Sequence, residues 1–281
     1  MTRYFFVISA LWALLPITMR SQEKESIPYD LKKPVEVHQL PEVLEEVSGL
    51  TYFDRNTLAA INDEHGRVYL YDLVAKRIKK GENIKFSGRG DFEGIELVGD
   101  YVYAIKSNGD LYRFSTKMYE VVEKIKSPFK SENDIEGLGY NHVTHQLLIA
   151  LKGKGDTEDV EVKGKAVYAF DLATQKHVKL PVYILKDKDL KRVLGSKDTK
   201  VRPSGIAVHP ITHEVYMLAS TGHALIVFHQ DGRPKNFTTL KRSLFPQPEG
   251  ITFSPEGDLF ISNEQEGEGG TILHFKMKRG G

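Results

Sequence analysis

The sequence predicts an all-β protein, and the architecture that it favours is a β-propeller of five blades. Two observations support this prediction. A short glycine-containing motif recurs along the chain, and three or four short runs of strand-forming residues follow each copy. Three to four strands per repeat of about 45 residues are typical of a propeller blade. A β-sandwich would not explain the motif, and the lack of long helical patterns disfavours α/β barrels and doubly wound sheets.

The repeated motif is a small or acidic residue followed by a glycine and an aliphatic residue. Successive copies are separated by 45, 43, 68 and 45 residues, so three of the four spacings match one period. The long spacing exceeds that period by too few residues for another copy, and we interpret the excess as an insertion. The copies are Ser48-Gly49-Leu50, Glu93-Gly94-Ile95, Glu136-Gly137-Leu138, Ser204-Gly205-Ile206 and Glu249-Gly250-Ile251.

The segments between the motifs have the composition of strands. Runs such as LAAIN at 58–62, YVYAIK at 101–106 and VYMLAS at 215–220 are apolar, and turn residues bound them. Many of the runs are rich in β-branched and aromatic residues, as short buried strands are. A sixth blade would have to come from residues 181–203, which are mostly polar. We therefore expect five blades and keep six as the alternative.

An additional strand-like run, PVEVHQL at 34–40, precedes the first copy, whereas the last copy supplies only about three strands. We expect residues 34–40 to form the outer strand of the last blade and to pair with residues 271–277. Such pairing joins the two ends of the chain and removes an open sheet edge.

The N-terminus has the pattern of a secretory signal peptide over residues 1–21. A basic start precedes the apolar run from Tyr4 to Met19, and a polar stretch follows it. A run of roughly 16 residues is short for a membrane span. We therefore expect residues 22–33 to be a linker and residues 34–278 to form a single propeller domain, periplasmic or extracellular. An uncleaved membrane anchor and a buried core helix are the alternatives for the first segment.

The overall composition excludes several classes of function. The chain has 39 Lys and Arg against 38 Asp and Glu, a balance that argues against a dedicated nucleic-acid binder. It has no cysteine, which excludes disulfides, thiol nucleophiles, cysteine zinc sites and iron–sulfur clusters. We expect a monomer.

The repeat predicts where polar side chains converge. The first strand of a blade begins, and the second ends, on the same face of the propeller, at one mouth of the central channel; we call this region the axial mouth. The first strands begin at Ser48, Glu93, Glu136, Ser204 and Glu249. The ends of the second strands include Asn62, Asp63, Lys106, Lys152, Asn263 and Glu264.

Three glutamates directed at one axis repel one another unless a positive charge lies between them. Calcium accepts six to eight oxygen ligands, whereas transition metals favour histidine and cysteine, which this ring lacks. We therefore expect calcium, held by Glu93, Glu136, Glu249, Asp63, Asn263 and Glu264. Salt bridges to Lys106 and Lys152, capping of backbone N–H groups, and acid–base catalysis are the alternative roles of the glutamates.

Basic side chains at the same mouth suggest an anionic ligand, such as a phosphate ester or an acidic sugar. Arg89 and Arg202 precede first strands. The residues expected to bind the ligand are Lys106, Lys152, Arg89, Arg202, Asn62, Ser48 and Ser204. The alternative is a charged rim that only contacts solvent.

Four histidines occupy turns on the opposite face. Asn141 and His209, and likewise His145 and His213, lie 68 residues apart and hold equivalent repeat positions. We interpret these residues, together with His142, as turn residues rather than metal ligands. The serine motif at Ser204 lacks the surroundings of a hydrolase nucleophile.

The five motifs in order, from Ser48-Gly49-Leu50-Thr51-Tyr52 through Asp91-Phe92-Glu93-Gly94-Ile95 to Ser262-Asn263-Glu264, resemble the SdiA-regulated family of β-propellers. The resemblance covers about residues 34–278 and implies an exported or envelope-associated bacterial propeller without an established reaction. The Asp-x-Glu-Gly-Ile pattern is also similar to phytase-like and gluconolactonase-like propellers, in which acidic residues at the channel mouth hold calcium. Two of the five first strands begin with serine instead, so this chain lacks a full acidic ring.

We therefore expect a binding protein. The alternatives are a calcium-dependent hydrolase of phosphate esters or lactones and a scaffold that binds a cell-envelope component. The sequence offers carboxylates but no evident pair of a base and an orienting group, which favours binding over catalysis. Contact with a membrane is expected only if the N-terminal segment is not cleaved.

Overall fold

Five antiparallel sheets, one for each copy of the glycine motif, surround a central axis in the computed structural model. The five-bladed β-propeller predicted from the sequence is therefore confirmed. The structure describes residues 26–118, 121–186, 188–189, 200–264 and 269–278. The signal peptide predicted at 1–21 lies outside these ranges. Within them, no helix is long and apolar enough to cross a membrane.

In each blade the first strand lies nearest the axis, and the following strands lead outwards. Blade 1 contains β2 (Val47–Asp54), β3 (Thr57–Asn62), β4 (His65–Asp72), β5 (Arg77–Ile78) and β6 (Ile84–Arg89). Blade 2 contains β7 (Phe92–Val98), β8 (Tyr101–Lys106), β9 (Leu111–Ser115) and β10 (Val122–Ile125). Blade 3 contains β11 (Ile135–Asn141), β12 (Gln146–Leu151), β13 (Lys165–Asp171), β14 (Lys176–His177) and β15 (Tyr183–Leu185).

The remaining two blades have four strands each. Blade 4 contains β16 (Arg202–Val208), β17 (Val215–Thr221), β18 (Ala224–Phe228) and β19 (Pro234–Thr239). Blade 5 contains β20 (Pro248–Phe253), β21 (Leu259–Asn263), β22 (Thr271–Phe275) and, as its outer strand, β1 (Glu36–Gln39). Two short 3₁₀ helices, Glu42–Leu44 and Ser131–Asn133, precede the first strands of blades 1 and 3.

Strand β1 closes the ring in the predicted manner. It pairs antiparallel with β22 in a register that places Val37 opposite Leu273. The backbone N–H of Leu40 also donates to the carbonyl of Gly270 at 2.8 Å. The strand from the start of the chain therefore completes the blade made from its end.

Residues 26–33, expected to be a linker, pack against the last two blades. Tyr29 and Leu31 are buried in an apolar cluster that also contains Tyr216 and Phe253. The hydroxyl of Tyr29 donates to the carbonyl of Gly257 at 2.6 Å. This segment extends the attachment of the N-terminus beyond β1.

Five apolar clusters fill the spaces between neighbouring blades. Side chains alternate between the two faces of a strand, so β12 directs Leu148 towards blade 4 and Ile149 towards blade 2. Both faces are buried, and the second strands are therefore almost continuously apolar in sequence.

The repeated glycines mark the places where first strands of adjacent blades come closest. A Cβ atom on Gly94 would lie 2.8 Å from the backbone nitrogen of Leu138 in blade 3, and one on Gly250 would lie 2.7 Å from Cβ of Leu50 in blade 1. A Cβ on Gly49 would lie 3.0 Å from Cα of Gly94. Contacts this short leave no space for a side chain, which explains why the glycine recurs.

A half-buried glutamate also joins three blades. Glu96 of β7 accepts hydrogen bonds from the hydroxyl of Thr51 at 2.7 Å and from the backbone N–H of Tyr140 at 3.1 Å. Burial raises the pKa of Glu96 to about 7, although these hydrogen bonds favour the ionised form.

The first prediction concerns the glycine contacts. Gly94→Ala should destabilise the protein by about 1–3 kcal/mol, because the added methyl group forces blades 2 and 3 apart. Gly88→Ala is the matched control, since a Cβ there would meet no atom within 4 Å. Urea unfolding of both variants measures the difference, and equal stabilities would contradict the proposed role of the contact.

The second prediction concerns closure of the ring. A chain that begins at Glu42 should melt at least about 10 °C below one that begins at Ser26, because it loses β1 and the buried side chains of Tyr29, Leu31 and Leu40. Differential scanning calorimetry measures both melting temperatures. A difference of only one or two degrees would show that the ring does not depend on this strand.

Candidate functional site

The first residue of every motif lies in a β-bulge. In blade 2 the pairing passes from Phe92–Lys106 directly to Gly94–Ile105, which leaves Glu93 without a paired residue. The pairing is interrupted at the equivalent place in all five blades, at Ser48, Glu93, Glu136, Ser204 and Glu249, and in blade 5 the interruption also includes Gly250. A bulge changes the direction of a side chain relative to the regular strand, and here it occurs at one level around the axis.

The channel beneath these residues is nearly closed. The first strands leave a cavity of about 10 Å³, lined by the motif glycines and aliphatic residues together with Ser48, Glu93, Ser204 and Glu249. This volume holds about one water molecule or one ion. This cavity is too small for an organic ligand, so such a ligand at the axis would lie above the carboxylates, on the face of the propeller.

Glu93, Glu136 and Glu249 form a mutually repelling group of carboxylates. Glu136 and Glu249 are 7% and 8% exposed, and Glu93 is half-buried. Burial, followed by repulsion from Glu136, raises the pKa of both Glu93 and Glu249 far above the usual glutamate range. The three glutamates therefore lie close enough for Glu136 to raise the pKa of the other two, at an electrostatic cost.

One lysine compensates part of this charge. Nζ of Lys152 lies 2.8 Å from Oε1 of Glu136. Burial raises the pKa of Glu136, and the hydrogen bond to Lys152 offsets only part of that rise. For Lys152 itself, burial acts to lower the pKa, but the hydrogen bond and charge of Glu136 outweigh it and the net shift is upwards.

The two serines of the ring connect neighbouring blades. Oγ of Ser48 donates to the carbonyl of Phe92, and Oγ of Ser204 donates to the carbonyl of Pro248, both at 2.6 Å. In each case the accepting residue immediately precedes a glutamate of the ring. The serines thus fix the backbone that carries Glu93 and Glu249.

The ends of the second strands divide into two groups because side chains alternate. Asp63, Lys152, Ser220 and Glu264 hold equivalent positions, and each lies close to an acidic residue of the axial mouth. Burial is the largest cause of the raised pKa of Asp63, and the charge of Asp91 adds to it. The charge of Glu264 contributes to the raised pKa of Glu249.

In blades 1, 2 and 5 the residue one position earlier is polar, and it contacts its own blade or the segment that leads into that blade. Asn62 donates to the carbonyl of Val43 at 3.1 Å, and Asn263 donates to Oγ1 of Thr271 at 3.1 Å. Nζ of Lys106 lies 4.8 Å from the ring centroid of Phe92. Among the described residues, no ion pair joins Lys106 to Glu93, so only Lys152 makes the lysine salt bridge considered from the sequence.

The two arginines lie at the periphery of the mouth. Arg89 is exposed and forms a salt bridge with Glu64 at 2.8 Å. Arg202 is exposed at the start of β16, where it pairs with Thr221. Their positions are compatible with contact to a ligand above the carboxylates, but neither lies beside the three glutamates in the way that Lys152 does.

Two further residues take part that the sequence analysis did not select. The side chain of Asp91 forms a hydrogen bond with Glu93, and the side chain of Ser220 forms one with Glu249. Both could have been found from the repeat, since Asp91 lies two residues before the motif glutamate and Ser220 is equivalent to Lys152.

The donor set suits a hard cation, but it is not arranged as a finished metal site. In the part of the chain that the structure describes, no three His, Asp or Glu side chains are placed so that they could hold a metal ion. Carboxylates and hydroxyls are nevertheless the oxygen donors that calcium accepts. Binding would require the glutamate side chains to turn towards one another.

The third prediction follows from the raised pKa values. A carboxylate whose folded pKa is raised binds its proton more tightly in the folded state, so its contribution to stability falls as the pH rises above the ordinary value near 4.5. Without added metal, Glu93→Gln should therefore be as stable as the wild type at pH 5 and more stable at pH 8.

Thermal unfolding in chelator at both pH values measures this effect. Glu82→Gln, at an exposed position, serves as the control and should show no such pH-dependent difference. If Glu93→Gln were less stable than the wild type at pH 8, the ionised Glu93 would have to be a stabilising group, contrary to the burial and repulsion that raise its pKa.

Comparison with known proteins agrees with the fold and identifies the family. The model of the SdiA-regulated family matches residues 24–266, so the chain belongs to that family. No curated protein matches the chain.

Solved structures that share the fold are distant in sequence. A luciferin-regenerating enzyme has a TM-score of 0.50 at 11% identity, over 87% of this chain and 95% of the other. A structural genomics protein of unknown function from Bacteroides thetaiotaomicron has a TM-score of 0.54 at 15% identity, over 89% and 62%. A chain of a nidogen/laminin complex has a TM-score of 0.50 at 12% identity, over 77% and 72%. At these identities the similarity shows a shared fold only.

Proposed function

We propose that this member of the SdiA-regulated family is an exported binding protein whose ligand site is the axial mouth, with a calcium ion held between Glu93, Glu136 and Glu249. The observation that carries the proposal is the excess of buried negative charge at that place. Three carboxylates converge there, and Lys152 is the lysine that pairs with one of them.

The charge balance favours a bound cation. Lys152 can offset the charge of Glu136, but burial and repulsion raise the pKa of Glu93 and Glu249 and so disfavour their ionised forms unless another positive charge is present. A divalent cation removes this cost without a proton. Asp91 and Ser220, which already form hydrogen bonds with Glu93 and Glu249, add oxygen atoms beside them.

The available space and the ligand atoms favour calcium. The cavity of about 10 Å³ has room for one ion but not for an organic molecule. Calcium tolerates irregular arrangements of carboxylate, hydroxyl and water oxygens at about 2.3–2.6 Å. The bulges at Glu93, Glu136 and Glu249 occur at one level around the axis, which supports a shared ion between the three side chains.

The ligand itself would lie above the ion. The mouth is acidic without calcium, and a bound ion makes its centre attractive to an anionic group such as a phosphate ester or the carboxylate of an acidic sugar. Lys152 lies beside that centre, and the exposed Arg202 lies further out. The signal-peptide pattern at residues 1–21 supports export and thus contact with extracellular calcium and with cell-envelope components.

The fourth prediction tests the ion. Calcium should raise the melting temperature of the wild type progressively as its concentration increases, because it binds the folded state. Glu93→Gln and Glu249→Gln should reduce that rise and weaken calcium binding at least tenfold by isothermal titration calorimetry, whereas Glu82→Gln should leave both unchanged. Magnesium should bind more weakly than calcium, because it requires a more regular octahedral site.

A wild-type protein that shows neither a calcium-dependent shift nor binding heat would remove the metal from the proposal. Ligand binding is then tested separately, with a panel of phosphate esters and acidic sugars in the presence of calcium. Turnover of a phosphate ester or a lactone in the same panel would support the hydrolase alternative instead.

A further inference from the structure

Two histidines from different blades meet on the face opposite the axial mouth. Nε2 of His142, in the turn between β11 and β12, lies 2.7 Å from Nδ1 of His213, in the turn between β16 and β17. The ring centroids are 4.8 Å apart, and both side chains are half-buried. Both residues were expected in turns. Nothing in the repeat indicates that the two turns bring these side chains together.

The turns themselves are built by other residues. Oδ1 of Asn141 accepts hydrogen bonds from the backbone N–H groups of Val143 and Thr144, and Nδ1 of His209 accepts the equivalent bonds from Ile211 and Thr212. Asn141 and His209 therefore perform the structural task expected of this turn. The turn does not require a histidine at position 142 or 213.

His213 adopts a backbone conformation in which a side chain is unfavourable. Its φ is 60°, in the left-handed region that favours glycine. The corresponding turns of blades 2 and 5 place glycines in this region, Gly99 with φ of 60° and Gly257 with φ of 89°. His145, at the equivalent position of blade 3, has φ of 55°, so both blades carry a histidine here at a cost in stability relative to glycine.

The surroundings of His142 disfavour its protonation. Burial is the main cause of the lowered pKa of His142, and the positive charges that His213 and His145 would carry lower it further. Glu214, the acidic neighbour of His213, is engaged by Lys235 and by Oγ1 of Thr212. His145 lies in the same turn as His142, and its Nδ1 is 3.0 Å from the hydroxyl of Tyr140.

We propose that His142 and His213 form a binding site for a divalent transition-metal ion of the zinc type, which joins blades 3 and 4 on the face opposite the axial mouth. Imidazole nitrogen is a preferred ligand of zinc, copper and nickel. The site is independent of the carboxylate site proposed for calcium, because it differs in face, in blades and in ligand chemistry.

Zinc binding requires the two rings to separate slightly and to tilt so that both nitrogens point at the ion. Zinc binds histidine nitrogens at about 2.0–2.1 Å, so two nitrogens at a tetrahedral angle stand about 3.3 Å apart. The rings would separate by roughly half an ångström from the observed hydrogen-bonding distance. The ring that donates the hydrogen bond moves its proton to its other nitrogen, and water completes the coordination.

The experiment is a zinc titration of the full-length, chelator-treated protein at pH 7.5, followed by calorimetry and by thermal unfolding. Zinc should bind at one site and raise the melting temperature. His142→Gln and His213→Asn should each weaken zinc binding at least tenfold. Asparagine is chosen at position 213 because it tolerates the left-handed conformation. His229→Asn, in the turn between β18 and β19, is the control and should bind zinc like the wild type.

Two further measurements separate this site from the axial mouth and from general damage. Each variant should melt near the wild-type temperature without metal, and Glu93→Gln should retain full zinc binding. Zinc affinity should also decrease as the pH is lowered, because protons compete with zinc for the imidazole nitrogens. Absence of zinc binding in the wild type, or binding that survives both histidine substitutions, would overturn the proposal.

Discussion

The close approach of five first strands around the axis is the constraint on which the rest of this structure depends. It is possible only because the second residue of each motif has no side chain, as the contacts of Gly94 with blade 3 and of Gly250 with blade 1 illustrate. Once the strands are this close, the channel is almost filled. Chemistry is thereby confined to the two faces of the propeller, where the turns and strand ends lie.

The bulge that precedes each glycine links this packing to the axial mouth. Because the residue before the glycine is unpaired, its side chain is free to face the axis, and five such residues form one ring. Two of them, Ser48 and Ser204, bond to the backbone beside the next glutamate. The ring therefore combines residues that fix the blades with residues that accumulate charge, and the accumulated charge is the feature that a ligand would relieve.

The two faces differ in chemistry. The axial mouth presents oxygen donors with an excess of negative charge, whereas the opposite face presents imidazoles in turns that Asn141 and His209 already stabilise. A hard cation suits the first face and a transition metal suits the second. Separate sites on the two faces are consistent with a channel too narrow to connect them.

The sequence by itself determined the blade count, the closing strand and the ring of motif residues, because each follows from a repeat whose period survives in three dimensions. Side chains alternate along β8 and β21, and this alternation turns Lys106 and Asn263 away from the glutamates. Predicting it from the sequence would have required knowing where the bulge lies. Only the tertiary structure decided that Lys152 pairs with Glu136, that Ser48 bonds to Phe92, and that His142 meets His213. These contacts cross blades or join the ends of neighbouring strands, so they depend on the angles between strands and between sheets. A repeat in the sequence specifies the order of the blades, but it does not specify the distances between their side chains.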